Sequence, residues 1–201
     1  MKATMQAVAR TLLTATALLA ALAWGAAVRA QGVEIEGQKF EPTVQAGGQT
    51  LTLNGVGLRK RAIFKVYVAG LYVPAKTNSA ATIINDKGPR RMSLRMLRDV
   101  DADSFIGALT DGLKANLGEA QFAALKPQTD ALVATLKSVG EARKGDVIDF
   151  DFTPDAGTRV IVNGQPRGAA IPGHEFYAAV LRIWIGDKPA EEDLKKGLLG
   201  G

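Results

Sequence analysis

The chain has 201 residues, 25 Lys+Arg, 20 Asp+Glu, one histidine and no cysteine, for a formal charge of +5. The lack of cysteine excludes disulfides, thiolate metal ligands and a thiol nucleophile. One histidine excludes a His-rich metal site and makes any Ser-His triad depend on His174.

Residues 1–30 differ from the rest. Lys2 and Arg10 precede an apolar run, TLLTATALLAALAWGAA, and Val28 and Ala30 flank Arg29 in an A-x-A-like site. This is the pattern of a cleaved secretory signal peptide. At about 17 residues the run is at the short edge for a bilayer span. Cleavage would remove Lys2, Arg10 and Arg29 and no acid, leaving residues 31–201 with a charge of +2 and no membrane span. Export, to the periplasm, is therefore expected. A net charge of +2 gives no argument for nucleic acid or an anionic membrane. Residues 31–201 suit one domain with its own core.

Strands are expected near Val33–Ile35 and Thr50–Leu53, the second turning at Asn54-Gly55. Ala62–Val73 is rich in Val, Phe and Tyr and predicts a central strand. Alternation puts Phe64, Val66, Val68 and Tyr72 on one face and Ile63, Tyr67, Leu71 and Val73 on the other, both apolar. Arg59, Lys60 and Arg61 stand at its head. Composition makes them a solvated strand end with snorkelling stems; the alternative is an arginine turned inward to meet an anion.

A short element near Ala81–Ile84 precedes a half-solvated strand near Arg91–Leu97, with Met92, Leu94 and Met96 on its apolar face. Lys60, Lys65, Arg90, Arg91 and Arg95 read as scattered solvated cations rather than a nucleic-acid surface. A helix starting at Asp101 and Asp103 carries Phe105, Leu109, Leu113 and Leu117 at four-residue spacing. Pro127 breaks the next helical region or starts a new one, and Gly140 ends it.

Ile148, Phe150 and Phe152 alternate with Asp149 and Asp151, which predicts a strand whose acids face solvent. Asn163-Gly164 signals a type I′ hairpin after Thr158–Val162. Two terminal helices follow, the last with three acids at its N-terminus. Strands, helices, strands, helices predict an α+β fold on a mostly antiparallel sheet. No nucleophile elbow, phosphate loop, dinucleotide fingerprint or zinc motif is present. His174-Glu175 is read as a surface or capping dipeptide.

LNGVGLRKRAIFKVYVAGLYVP (53–74) and VLRIWIGDKPAEEDLKKGLLG (180–200) resemble the chalcone isomerase superfamily, nearest its bacterial chalcone isomerase-like branch. The resemblance spans nearly all of Val33 to Gly200. It implies an open-faced β-sandwich, a large curved antiparallel sheet with helices on one face and a ligand cleft between them. It also implies one of two activities. In one, an arginine steadies a phenoxide while a chalcone closes to a flavanone. In the other, the arginine pairs with a fatty-acid carboxylate in an apolar cavity.

The family's arginine falls on Arg59. A threonine position falls on Tyr67, a tyrosine and an asparagine seven apart fall on Phe105 and Gly112, and a late hydroxyl falls on Tyr177. Phe105 and Gly112 lack the polar groups that isomerisation uses, so the resemblance favours binding. The expected ligand site is thus Arg59, Tyr67, Phe105, Gly112 and Tyr177, for an apolar, anionic, fatty-acid-like molecule. Arg59 is catalytic only in the isomerase reading. A third reading is an envelope protein-interaction module with a vestigial cleft. No cofactor or metal is expected.

Overall fold

The computed structural model describes residues 32–201. The expected signal peptide lies outside the described residues. Gln31–Gly201 form a compact unit of their own, with the hydrophobic core a domain needs to fold alone. Two strands, β1 (Val33–Ile35) and β2 (Gln38–Phe40), make a small ribbon. Seven more make one antiparallel sheet in sequential order: β3 (Thr43–Ala46), β4 (Gln49–Arg61), β5 (Phe64–Val73), β6 (Arg90–Met96), β7 (Val147–Thr153), β8 (Gly157–Val162) and β9 (Gln165–Ile171). The helices are α1 (Ala80–Asn85), α2 (Ala102–Asn116), α3 (Glu119–Ala124), α4 (Lys126–Val139), α5 (His174–Ile185) and α6 (Glu192–Leu198). The α+β class and the curled sheet with packed helices are those the sequence and its resemblance imply.

Local chemistry sets the helix ends. The Ser79 and Asp101 side chains accept from the amides of Thr82 and Ser104, capping α1 and α2. Pro127 sits in the first turn of α4, where its missing N–H costs nothing, and splits α3 from α4. Gly140 ends α4 with φ +82°. The Asn163-Gly164 hairpin has positive φ at both residues, as a type I′ turn requires.

The main core lies between the sheet and the helices. Tyr67, Leu71, Met92, Leu94, Phe150, Phe152 and Val160 meet Phe105, Leu109 and Leu113 of α2 and Phe176, Leu181 and Trp184 of α5. Fully burying a side chain of this size contributes ~1.5–3 kcal/mol. A smaller cluster on the other face gathers Phe40, Leu51, Leu53, Val68 and Tyr72. The central strand is therefore covered on both sides, as its double apolar pattern requires.

Asn54-Gly55 is not a turn. β4 runs through it, with a register shift that leaves Asn54 without a partner on β5. There the Asn54 amide donates to Leu198 O at 2.7 Å and accepts from the Thr77 amide at 2.9 Å. Gly55 is needed because α6 lies on the strand: a Cβ there would stand 2.1 Å from Gly197 O. The turn falls instead at Ala62-Ile63, so Arg59–Arg61 end β4 rather than begin β5.

Three cations expected in water are not. Arg90 is fully buried. Its guanidinium donates to the carbonyls of Ile83 (2.6 Å) and Ile84 (3.2 Å) at the end of α1, between the rings of Phe152 and Tyr177. Arg91 pairs with Asp151 at 2.5 Å and lies 3.7 Å from Asp149. Arg95 stacks on Phe40, 4.6 Å from the ring centroid. Asp149 and Asp151 are accordingly buried, not solvent-facing. Their face is the smaller of two covered faces, closed by Phe40 and the β3–β4 hairpin, where a Cβ on Gly47 would meet Thr153.

Candidate functional site

A cavity of about 730 Å³ opens where the β4–β5 hairpin leaves the sheet and α2 passes over it. β5 positions its floor. Arg59 pairs with Tyr67 and Lys60 with Lys65, so β5 carries one extra residue, Val66. A bulge of this kind turns two successive side chains to one side. Phe64, Val66 and Tyr67 therefore all line the cavity, and simple alternation resumes beyond it with Ala69, Leu71 and Val73 in the main core. That is why Phe64 and Val66 leave the face that strict alternation assigned them.

The roof is α2, through Phe105, Ala108, Leu109 and Gly112, with Ile183 of α5 behind. The walls are mainly apolar. The charged residues are Arg59, Arg61, Arg98 and Lys188, and Asp99, Asp101 and Asp111. A second hollow of about 420 Å³, between α4 and β9, is lined by Pro127, Gln128, Ala131 and other uncharged residues.

Arg59 is half-buried at the cavity edge. Its Nη1 donates to Glu191 Oε2 at 3.2 Å and to the carbonyl of Lys60. The same carboxylate oxygen accepts from the Lys60 amide at 2.7 Å. The Arg59 side chain also faces the Tyr67 hydroxyl. At the floor, the Tyr67 hydroxyl accepts from Trp184 Nε1 at 2.9 Å. Burial pushes the Tyr67 phenol up, and the Trp184 hydrogen bond and the Arg59 charge offset that only in part. Tyr67 thus stays a neutral phenol at neutral pH.

Four of the five sequence-predicted residues, Arg59, Tyr67, Phe105 and Gly112, line this cavity. Tyr177 is elsewhere. It is fully buried, donates to Phe150 O at 3.0 Å and stacks on Phe152 at 5.1 Å. Its hydroxyl serves the sheet–helix core because α5 turns that face toward β7. Gly112 is a close-approach residue: a Cβ would lie 2.9 Å from Ile183 Cγ2. His174 is half-buried, packs its ring edge on Phe152 and donates to Asp86 O at 2.7 Å, just past the end of α1, and does not cap α5. Sequence reasoning missed Glu191, Trp184, Phe64 and Arg98. Arg59 and Glu191 are 132 positions apart, and no local spacing links them.

Among the described residues no group of three or more His, Cys, Asp or Glu is placed to hold a metal ion. No helix among them is long and apolar enough to cross a membrane.

A family model described as chalcone isomerase-like matches residues 32–200. Among solved structures, a fatty-acid binding protein of Arabidopsis thaliana superposes with a TM-score of 0.66 at 16% identity. The match covers 84% of this chain and 96% of that one. At that identity the likeness carries the fold. No curated protein matches the chain.

Proposed function

Because this chain belongs to the chalcone isomerase-like family, we propose that it binds an apolar small molecule with an anionic head, of the fatty-acid kind. The cavity is the site and Arg59 holds the head. One observation carries the reading: the Arg59 guanidinium stands at the edge of a mainly apolar hollow of about 730 Å³. That volume is within the range of ligand pockets, roughly 300–1,000 Å³. Tyr67, Phe105 and Leu109 supply apolar wall, and Gly112 holds α2 close to α5. The fold shared with a plant fatty-acid binding protein supports the same ligand class.

Binding is favoured over isomerisation on chemical grounds. Phe105 and Gly112 offer no side-chain hydroxyl or amide to a developing enolate, which leaves of the expected polar groups only the Tyr67 O–H, whose oxygen accepts from Trp184. Open space beside Arg59 also weighs against a vestigial cleft. Titration of the purified protein with long-chain fatty acids tests the reading. Saturable binding that Arg59→Ala weakens supports it; no binding, or unchanged affinity in the variant, refutes it. Chalcone cyclisation faster than the spontaneous rate would move the protein to the isomerase class. We further propose export to the periplasm with cleavage after Ala30, tested by the N-terminal mass of the protein from envelope fractions.

A further inference from the structure

Four two-residue hairpins can be compared within this chain. Glu36-Gly37, Gly47-Gly48 and Asn163-Gly164 all have positive φ at both positions and carry glycine at the second. The fourth, Ala62-Ile63 between β4 and β5, does not. Ala62 holds φ +54°, where alanine is strained, and Ile63 is 88% exposed. Phe64, next to it, is 52% exposed. Every residue from Lys60 to Lys65 is exposed. Large apolar side chains at an exposed tip break a local rule, and such breaks concentrate at functional sites.

The tip is ringed by cations. Arg98 stacks on the Phe64 ring, 4.5 Å from its centroid. Four acids around it are tied to an internal donor. Glu36 pairs with Lys65 and Glu191 with Arg59, while Asp99 and Asp101 accept from the amides of Lys144 and Ser104. That leaves Lys60, Arg61 and Arg98 without a carboxylate partner among the described residues. Phe64, Arg61 and Arg98 also line the mouth of the cavity.

We propose that the Lys60–Lys65 hairpin tip docks on an anionic lipid surface. Ile63 and Phe64 enter the acyl boundary while Lys60, Arg61 and Arg98 meet the headgroups. The net charge of the chain gives no argument for this; the local arrangement does. An apolar wedge inside a ring of unpaired cations is complementary to an anionic interface, where burial and headgroup attraction add. Docking would set the mouth of the cavity against the membrane, the phase in which an acyl ligand is dissolved. The proposal goes beyond ligand binding and is read independently of it.

Residues 31–201 are mixed with vesicles of phosphatidylcholine alone or with added phosphatidylglycerol, and co-sedimentation is measured. Binding is expected only to the anionic vesicles, and high salt should weaken it. Ile63→Ser should weaken it roughly tenfold and Lys60→Ser roughly fivefold. Neither side chain lines the cavity, so both variants should titrate soluble fatty acid as the parent does. In an Ile63→Trp variant of residues 31–201, whose one native tryptophan, Trp184, is buried, emission should shift to the blue with anionic vesicles. No vesicle binding, binding that Ile63→Ser leaves unchanged, or an unshifted tryptophan overturns the proposal. A concentration-dependent dimer that Ile63→Ser dissolves, without vesicle binding, overturns it by assigning the tip to self-association.

Discussion

Trp184 donates its indole N–H to the hydroxyl of Tyr67 at 2.9 Å, joining the late helix α5 to the central strand directly beneath Arg59. Both side chains are buried. Tyr67→Phe keeps the ring and removes the acceptor, leaving the Trp184 N–H buried and unpaired. A loss of that kind costs about 1–3 kcal/mol. Urea unfolding should show a lower midpoint with an unchanged slope. A midpoint equal to that of the parent would mean the bond contributes nothing.

The fold was legible where one residue pattern had one cause. The four-residue spacing from Phe105 to Leu117 and the break at Pro127 followed from helix geometry alone, and Asn163-Gly164 from turn geometry. Reading failed where a distant segment decided the outcome. Asn54-Gly55 has turn chemistry, yet it lies inside β4 because α6, some 140 residues later, rests on that glycine. Asp149 and Asp151 alternate with apolar residues as on a solvated face, yet Arg91 and Phe40 close over them. The site divided in the same way. Arg59 was singled out only by family spacing. Glu191, which holds it, left no local trace, and neither did the bulge at Val66 that turns the cavity floor.

Alkaline pH should unfold the protein cooperatively. Its three tyrosines all have phenols pushed up by burial: Tyr67, Tyr177, and Tyr72 to about 12. Above the ordinary phenol value of 10.0, the native state keeps protons that the unfolded chain gives up. Stability from this source is thus complete below that value and falls as pH rises through the native values. The urea midpoint should hold steady through neutral pH and drop beyond it, with phenolate absorbance appearing together with unfolding. Phenolate absorbance rising well before any structural loss would contradict the burial argument.

Glu191 occupies the guanidinium that a ligand carboxylate would use. Arg59 and Glu191 are 25% and 23% exposed, so their attraction is screened and worth at most ~1 kcal/mol. Glu191→Gln should leave stability nearly unchanged. It should tighten fatty-acid binding by roughly two- to fivefold, because the internal competitor loses its charge. Calorimetric titration of both proteins decides it. If both bind fatty acid and the variant binds equally or more weakly, Glu191 is part of the site rather than its competitor. If neither binds, the ligand reading itself fails.

Two glycines in α2 should respond in opposite directions to alanine. At Gly107 an added Cβ meets nothing within 4 Å, so Gly107→Ala recovers the helix propensity that glycine lacks, ~0.8–1 kcal/mol. At Gly112 the Cβ would stand 2.9 Å from Ile183 Cγ2 and 3.3 Å from Cγ1. Ile183 is buried, and its branched side chain has few rotamers with which to give way. Overpacking typically costs about 1–3 kcal/mol and outweighs the propensity gain. Gly107→Ala should therefore raise the thermal midpoint and Gly112→Ala lower it. Because α2 roofs the cavity, forcing it away from α5 at position 112 should also weaken ligand binding, while position 107 leaves it unaltered. Matching shifts in the two variants would show that α2 sits loosely on α5, and the cavity would then lack the fixed roof on which an apolar ligand depends.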